Sequence, residues 1–165
     1  MASGQASYLL AVLEKNRALS INALCEDIDE RWLKEGEARA AEQRLENIRF
    51  AKGDGLVFKE RETPPNILIS SGFIDWIEED ELAQRSLKNA YDTLAPGGYF
   101  ILANQEGHPN LSLVQNVFEG FEHRPLRLKT RPEGVIRGWL NDVGFQIEKV
   151  LKDKNSHYAV FKACK

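Results

Sequence analysis

The sequence predicts an α/β fold with a mostly parallel sheet and a C-terminal antiparallel hairpin. Two apolar strand signals that end in acidic residues lie one helix apart, at residues 23–29 and 47–55. Strand-like and helix-like segments continue to alternate along the chain, which favours parallel strands joined by right-handed crossovers. The last two strand-like segments follow each other without a helix between them, so they are expected to close the sheet as a hairpin.

The elements follow from apolar spacing and from turn residues. Pro132 near a first turn and Gly144 as the C-cap bound the last helix, and the prolines and glycines of residues 63–65 and 96–98 break the chain before strands. Helices are predicted over residues 8–14, 30–44, 79–94, 111–118 and 132–143. Strands are predicted over residues 20–27, 47–51, 66–70, 99–103, 145–151 and 157–163.

Length and composition are those of one soluble domain, which we expect to span residues 1–165. The net charge of −3 argues against a nucleic-acid module, which would carry a basic face. The apolar runs are far shorter than the roughly 20 residues of a membrane span, and the N-terminus carries no secretory signal. Cys25 and Cys164 lie far apart without metal-type spacing, so we expect both reduced in a cytoplasmic protein.

The acidic strand ends indicate a nucleoside-binding site, because open α/β sheets bind ligands at the carboxyl ends of their strands. Asp27 follows Gly4 by about 20 residues, the spacing between a glycine loop and a ribose-binding acid. Asp54 follows the second strand in a glycine-flanked turn and is the candidate adenine contact. The plainer alternatives are a flexible terminal glycine, a helix N-cap for Asp27 and a simple turn for Asp54. Asp29 is the more natural N-cap.

Four segments together resemble the class I S-adenosylmethionine-dependent methyltransferases. They are residues 2–8, like the tail of a glycine loop; residues 25–28 and 50–54, like the ends of the second and third strands; and residues 94–100, like the turn into the fifth strand. Residues 70–109 look most similar to a bacterial group of methyltransferases. The resemblance covers nearly the whole chain. It implies a Rossmann-like methyltransferase fold, S-adenosylmethionine as cofactor, and methyl transfer to an unidentified small-molecule acceptor.

The resemblance also implies roles for individual residues. The cofactor-binding candidates are Gly4, Asp27, Ile28, Asp54, Gly55, Ser71 and Gly72. The substrate-side candidates, at the ends of the fourth and fifth strands, are Ser70, Phe73, Asn104 and Gln105. His108 is the candidate general base, with ordering of its loop as the alternative. His123 and His157 are expected at the surface or in the hairpin, and no metal is expected, since the histidines lack ligand spacing.

The chain departs from the family pattern at its start. The family's first strand precedes the glycine loop and ends in an acid, whereas Met1 lies inside or just before that loop. Three accounts remain: a fragment of a longer enzyme, a natural short form that repacks or dimerises, and a chain that has lost activity. Since the strand normally lies in mid-sheet, its neighbours would carry unpaired backbone groups. Such an edge invites a second chain, so a homodimer is expected.

Two other functions compete with methyl transfer. A domain of the same fold could act as a non-catalytic interaction or regulatory module. A nicotinamide-dependent oxidoreductase would need Gly-x-Gly-x-x-Gly after a first strand, which this sequence lacks. The basic run of residues 124–131 is either a grip for an anionic substrate or a solvated loop. Trp32, Trp76 and Trp139 are expected to pack within helices, although Trp76, with Phe73, is also placed to cover a ligand.

Overall fold

The computed structural model describes residues 1–57, 60–119 and 126–165. Their contacts divide the chain into two compact units, Met1–Gly55 and Leu56–Lys165. That a single domain spans both units stays a prediction. Within the described ranges, no helix combines the length and apolar character needed to cross a membrane.

The first unit is a two-stranded parallel sheet with two helices. Its elements are α1 Ser7–Lys15, β1 Ala23–Asp27, α2 Glu30–Glu42 and β2 Ile48–Lys52. β1 pairs with β2 in parallel, with Asp27 opposite Lys52, so α2 is the predicted crossover. Asp29 caps α2 as expected, because its Oδ1 accepts a hydrogen bond from the Arg31 N–H at 2.9 Å. The core of this unit is made of Ala6, Leu10, Leu13, Cys25, Ala40, Leu45 and Ile48.

Gly36 lets α2 approach its neighbours closely. A Cβ at this position would lie 2.9 Å from Cζ of Phe50 and 3.0 Å from the carbonyl oxygen of Gln5. We therefore expect Gly36→Ala to lower the free energy of unfolding by about 1 to 3 kcal/mol through overpacking, although alanine is the better helix former. Urea unfolding measures the loss. Phe50→Leu in the same chain is expected to recover part of it, and strictly additive losses would contradict the steric account.

The second unit is a four-stranded mixed sheet. Its elements are β3 Ile67–Ser71, a 3-10 helix Phe73–Trp76, α3 Asp80–Thr93, β4 Tyr99–Gln105, α4 Leu111–Val117, α5 Glu133–Val143, β5 Gln146–Lys152 and β6 Tyr158–Cys164. The strand order is β3-β4-β6-β5. β3 runs parallel to β4, and β6 runs antiparallel to both β4 and β5, which confirms the C-terminal hairpin. Three of these four strands therefore share one direction.

Aromatic packing joins helices α3 and α5 to this sheet. The rings of Phe100 and Phe145 stack at 5.3 Å, and Tyr91 meets the Phe145 ring edge-on at 5.0 Å. Gly144 ends α5 with φ of 111°, as the sequence predicts, and a Cβ there would lie 3.2 Å from the Tyr91 ring. The C-terminal end of α5 therefore packs with the aromatic cluster, which positions the chain where it leaves α5 for β5.

Several predicted boundaries and placements need correction. β4 runs to Gln105 rather than stopping at residue 103, because β6 pairs with it along its whole length. The first strand begins at Ala23, not at residue 20, and the 3-10 helix was not predicted. α5 begins at Glu133 with Pro132 as its N-cap, one residue later than predicted. The prediction that the tryptophans pack is wrong for Trp32 and Trp76, which are both exposed.

Candidate functional site

The parallel pairing of β1 and β2 brings two acidic strand ends to one edge of the first unit. Asp27 ends β1 opposite Lys52, and Asp54 lies two residues beyond Lys52 with its side chain exposed. The Asp27 side chain is buried at 8% exposure and accepts two backbone hydrogen bonds. Its Oδ2 accepts from the Gly4 N–H at 2.8 Å, and its Oδ1 accepts from the Asp29 N–H at 2.9 Å. Asp27 therefore organises the N-terminal loop and is not the helix cap.

The N-terminal loop is built as a turn against the end of β1. Ser3 donates its N–H to the carbonyl oxygen of Glu26 at 3.0 Å, and Gly4 adopts φ of +52°. A Cβ at Gly4 would meet nothing within 4 Å, so space is open beside this loop. Ile28, the next residue after Asp27, is an exposed apolar side chain. The structure thus gathers Gly4, Asp27 and Ile28 into one place.

This arrangement fits a ribose with its base. An ionised carboxylate has about four lone-pair positions, and the two backbone bonds to Asp27 use one on each oxygen. The remaining positions can accept the hydroxyls of a diol. An exposed apolar side chain at Ile28 offers a surface for a flat ring, and the exposed carboxylate of Asp54 is an acceptor for an amine. Gly55, the last residue of the first unit, is half-buried.

The carboxyl ends of β3 and β4 form a second group of candidates, within the second unit. Ser71 is exposed, and Gly72 turns the chain with φ of 73° while its N–H donates to the Ala103 carbonyl oxygen at 3.3 Å. Phe73 opens the 3-10 helix and is half-buried. Asn104 is enclosed, because its Nδ2 donates to the Arg131 carbonyl oxygen at 2.8 Å.

Polar side chains inside this strand end are incompletely paired. Gln105 is buried beside Asn104, and the Oδ1 of Asn104 and the Oγ of Ser70 have no hydrogen-bond partner among the described residues. Ser70 and Asn104 face the same side of the sheet, since Ser70 lies opposite Leu102. The substrate-side role of Asn104 and Gln105 stays a prediction, since both side chains lie within the packed interior.

Asp75 is the functional candidate that sequence reasoning missed. The side chain is buried at 3% exposure, and its Oδ1 accepts the Gln105 N–H at 3.0 Å. Burial raises the pKa of this carboxyl to about 6, against smaller lowering effects of the Gln105 N–H and of Arg131. Asp75 lies five residues after the predicted strand of residues 66–70, whereas Asp27 ends its strand, so the sequence position of Asp75 does not by itself mark it as a site residue.

The contacts of Arg131 change the interpretation of the basic run of residues 124–131. Its guanidinium is buried and donates to the carbonyl oxygens of Ile74 at 2.7 Å and Ile77 at 2.6 Å, and to Oδ1 of Asp80 at 3.0 Å. Nζ of Lys129 also contacts Asp80, at 2.9 Å. Both cations are therefore paired within the protein, although the side chain of Arg131 is buried and that of Lys129 is 40% exposed. Arg127 is exposed, and residues 124–125 lie outside the described ranges.

The two histidines that the structure describes both make contacts with the backbone, and the catalytic role of His108 stays a prediction. Nδ1 of His108 accepts the Asn110 N–H at 3.2 Å, the loop-ordering contact that was the alternative to catalysis. His157 precedes β6, and its carbonyl oxygen accepts the Glu106 N–H at 2.7 Å. His123 lies outside the described residues. In the part of the chain that the structure describes, no three His, Cys, Asp or Glu side chains are grouped to hold a metal. Both cysteines are free.

The raised pKa of Asp75 predicts a specific pH dependence of stability. The folded protein holds the Asp75 proton more tightly than the unfolded chain, where the pKa is near its ordinary 3.8. The contribution of Asp75 to the free energy of unfolding therefore falls as the pH rises from about 4 to about 7. Asp75→Asn keeps an acceptor for the Gln105 N–H but does not ionise. Measured by urea unfolding, the free energy of unfolding of the variant relative to that of the wild type should rise by up to about 2 kcal/mol from pH 4 to pH 7.

The matched control for this measurement is Asp142→Asn, at an exposed position in α5. Its difference from the wild type should be the same at both pH values. An Asp75→Asn difference that also stays constant with pH would contradict the assigned pKa.

A family model described as "Putative methyltransferase" matches residues 1–163. The chain belongs to this family. The YnbC protein of Escherichia coli strain K12 is 28% identical to this methyltransferase-family chain over 150 residues, which are 88% of the chain and 26% of YnbC. The chain thus spans about a quarter of the length of this curated relative.

Solved structures share the fold of this family member. A protein of Bordetella parapertussis, described as a possible exported protein, matches 99% of the chain and 59% of its own length, with a TM-score of 0.82 and 21% identity. The S-adenosylmethionine-dependent methyltransferase SibL in its apo form matches 99% of the chain and 48% of its own length, with a TM-score of 0.76 and 19% identity. The predicted Rossmann-like methyltransferase fold is thereby confirmed.

Proposed function

We propose that this chain binds S-adenosylmethionine and transfers its methyl group to a small-molecule acceptor. Membership of the family supports methyl transfer. The observation that carries the cofactor is the strand-end group of Asp27, Gly4 and Ile28, in which a buried carboxylate both orders a glycine loop and keeps free acceptor positions. A magnesium protoporphyrin IX methyltransferase of Synechocystis PCC 6803, solved with bound S-adenosylhomocysteine, has the same fold at a TM-score of 0.74 and 17% identity.

In this proposal, different residues of the first unit bind different parts of the nucleoside. Asp27 accepts the ribose hydroxyls, while Gly4 leaves room for the ligand to approach the loop backbone. Ile28 packs on the adenine ring. Asp54 accepts a hydrogen bond from the exocyclic amine of adenine, and Gly55 lies next to it in the same turn. The cofactor-binding roles of Ser71 and Gly72, which lie in the second unit, stay predictions from the resemblance. S-adenosylmethionine supplies an electrophilic methyl group, so the protein has mainly to orient an acceptor for attack.

The acceptor is a small molecule rather than a nucleic acid in this proposal. The net charge of −3 disfavours a polyanion. An O-methyltransferase family 2 protein of Planctomyces limnophilus, solved in complex with apigenin, has the same fold at a TM-score of 0.76 and 17% identity. Its complex supports a small acceptor for this fold.

The outer edge of β1 supports a homodimer as part of the proposal. The parallel register directs the backbone groups of Ala23, Cys25 and Asp27 toward β2, so those of Leu24 point the other way. The Leu24 side chain is exposed as well. The Glu26 carbonyl on this edge already accepts the Ser3 N–H, so the part of the edge that a second chain could pair with is centred on Leu24. Light scattering at high protein concentration should give the mass of a dimer, and a monomer would count against the pairing.

Chemical-shift mapping of the backbone amides tests the proposed site. S-adenosylhomocysteine should shift the amide resonances of Gly4, Ile28 and Asp54, because these residues surround the nucleoside. NADH serves as the matched control, since it also carries an adenosine but belongs to the oxidoreductase alternative. A larger response to NADH would favour the oxidoreductase, and no response to either ligand would favour a non-catalytic domain.

A further inference from the structure

We propose that Asp75 is the catalytic proton acceptor for a hydroxyl group on an apolar small-molecule acceptor. The inference rests on the proposed methyl transfer and names the class of acceptor that this site takes. The observations that carry it all lie within the second unit.

The two carboxylate oxygens of Asp75 differ in their surroundings. Oδ1 is held by the Gln105 N–H at 3.0 Å, which fixes the carboxylate against the end of β4. Oδ2 accepts no hydrogen bond from any described residue, although the side chain is only 3% exposed. It lies 3.6 Å from the position that a Cβ would occupy at Gly72. One oxygen is thus anchored while the other is directed at the glycine turn after β3, where open α/β sheets bind ligands.

Exposed apolar side chains lie on segments connected to Asp75. Trp76 follows Asp75 directly and is 54% exposed. Residues 128 and 129 connect the 3-10 helix that contains Asp75 to α4. Lys129 donates its N–H to the Asp75 carbonyl oxygen at 2.8 Å, and Gln115 of α4 donates its Nε2–H to the Leu128 carbonyl oxygen at 2.8 Å. α4 has no buried residue and exposes apolar side chains. The exposed apolar residues of α4 and its C-cap are Leu113, Val117 and Phe118.

Charged groups near Asp75 leave it available as a base. Arg131 is a described cation that acts on Asp75 and lowers the pKa of its carboxyl, and its guanidinium donates hydrogen bonds to two carbonyl oxygens and to Asp80. The ammonium of Lys129 donates a hydrogen bond to the carbonyl oxygen of Glu78 and forms a salt bridge with Asp80. With its pKa raised to about 6, the Asp75 carboxyl is still mostly ionised at pH 7, and it is a stronger base than an exposed aspartate.

The chemistry balances with these groups alone. The acceptor oxygen uses a lone pair to form the new C–O bond with the methyl carbon. The C–S bond breaks, and its electron pair stays on sulfur, which changes from a sulfonium cation to a neutral thioether. The hydroxyl proton passes to Oδ2 of Asp75 and is later released to water. The products are a methyl ether, S-adenosylhomocysteine and a proton.

The test uses the full chain with ¹³C-labelled aspartate carboxyl groups and two simple probes, phenol and its methyl ether anisole. The Asp75 resonance is assigned by its loss in Asp75→Asn, and Asp142→Asn serves as the matched control. Phenol should shift the Asp75 carbon and lower the pKa of this carboxyl, because a donated hydrogen bond stabilises the carboxylate. Anisole, which has the same ring without the hydroxyl proton, should leave that pKa unchanged.

Three results would overturn the inference. In the first, phenol and anisole change the pKa of the Asp75 carboxyl equally, or neither changes it. In the second, the carboxyl titrates near the ordinary aspartate value of 3.8. In the third, benzylammonium lowers this pKa more than phenol does, which would indicate an amine as the methyl acceptor. Binding of S-adenosylhomocysteine is measured separately on wild type and Asp75→Asn and should be equal. If the wild type does not bind S-adenosylhomocysteine, the proposed function is contradicted, but the carboxyl titration still tests whether Asp75 accepts a hydrogen bond from a hydroxyl group.

Discussion

Asp27→Ala is expected to weaken binding of S-adenosylhomocysteine by about 100-fold or more, measured by titration calorimetry. The substitution removes the acceptor for two ribose hydroxyls, and hydrogen bonds to a charged group contribute about 1.5 to 3 kcal/mol each. It also releases the Gly4 and Asp29 N–H groups, which Asp27 holds at 2.8 and 2.9 Å. The glycine loop then loses its anchor at the end of β1. Both effects act against the ligand.

Asp27→Asn separates these two effects. The amide oxygen can still accept one backbone N–H, but the side chain carries no charge. We expect a loss of affinity smaller than that of Asp27→Ala, with less change in urea unfolding. Asp142→Ala, at an exposed position, is the control for a change in net charge. Unchanged affinity in a folded Asp27→Ala protein would show that the ribose lies elsewhere.

Arg131→Met should produce the largest loss of stability, about 3 to 5 kcal/mol in urea unfolding. Arg131 is 2% exposed, and its guanidinium donates to the carbonyl oxygens of Ile74 and Ile77. Methionine would remove both bonds; the Ile74 oxygen would keep the Ile77 N–H, but the Ile77 oxygen would lose its buried donor. It also pairs with Asp80 and lies 5.5 Å above the Trp139 ring. Because a domain has only about 5 to 15 kcal/mol of stability, this change could unfold much of the protein.

Arg131→Lys and Arg127→Met complete this experiment. A lysine keeps the charge but cannot reproduce the planar fork of donors, so we expect it to recover less than half of the loss. Arg127 belongs to the same basic run but is exposed, and its replacement should change stability by no more than about 0.5 kcal/mol. Equal effects at both arginines would contradict the structural role assigned to Arg131.

The sequence predicted those parts of the fold that local chemistry decides. The caps at Asp29 and Gly144 were found because each residue type suits its backbone conformation. The extension of β4 through Asn104 and Gln105 could not be found, since polar residues there are buried by pairing with β6. The exposure of Trp32 and Trp76 likewise depends on tertiary packing rather than on local pattern.

The candidate site was predictable in its first unit and less so in its second. Asp27 and Asp54 end strands, so their position at one sheet edge follows from the parallel pairing. Asp75 escaped notice because it lies in a 3-10 helix, and only burial and the Gln105 contact distinguish it from a surface acid. Arg131 escaped because a run of basic residues looks alike whether its members face solvent or the protein interior.

Titration calorimetry of the wild-type chain with S-adenosylmethionine and S-adenosylhomocysteine tests the central claim most directly. The account predicts saturable binding of both ligands in the micromolar range, about −8 kcal/mol. Circular dichroism and a cooperative urea transition on the same sample establish that the chain is folded. A folded chain that binds neither ligand would contradict the cofactor assignment and favour a non-catalytic domain.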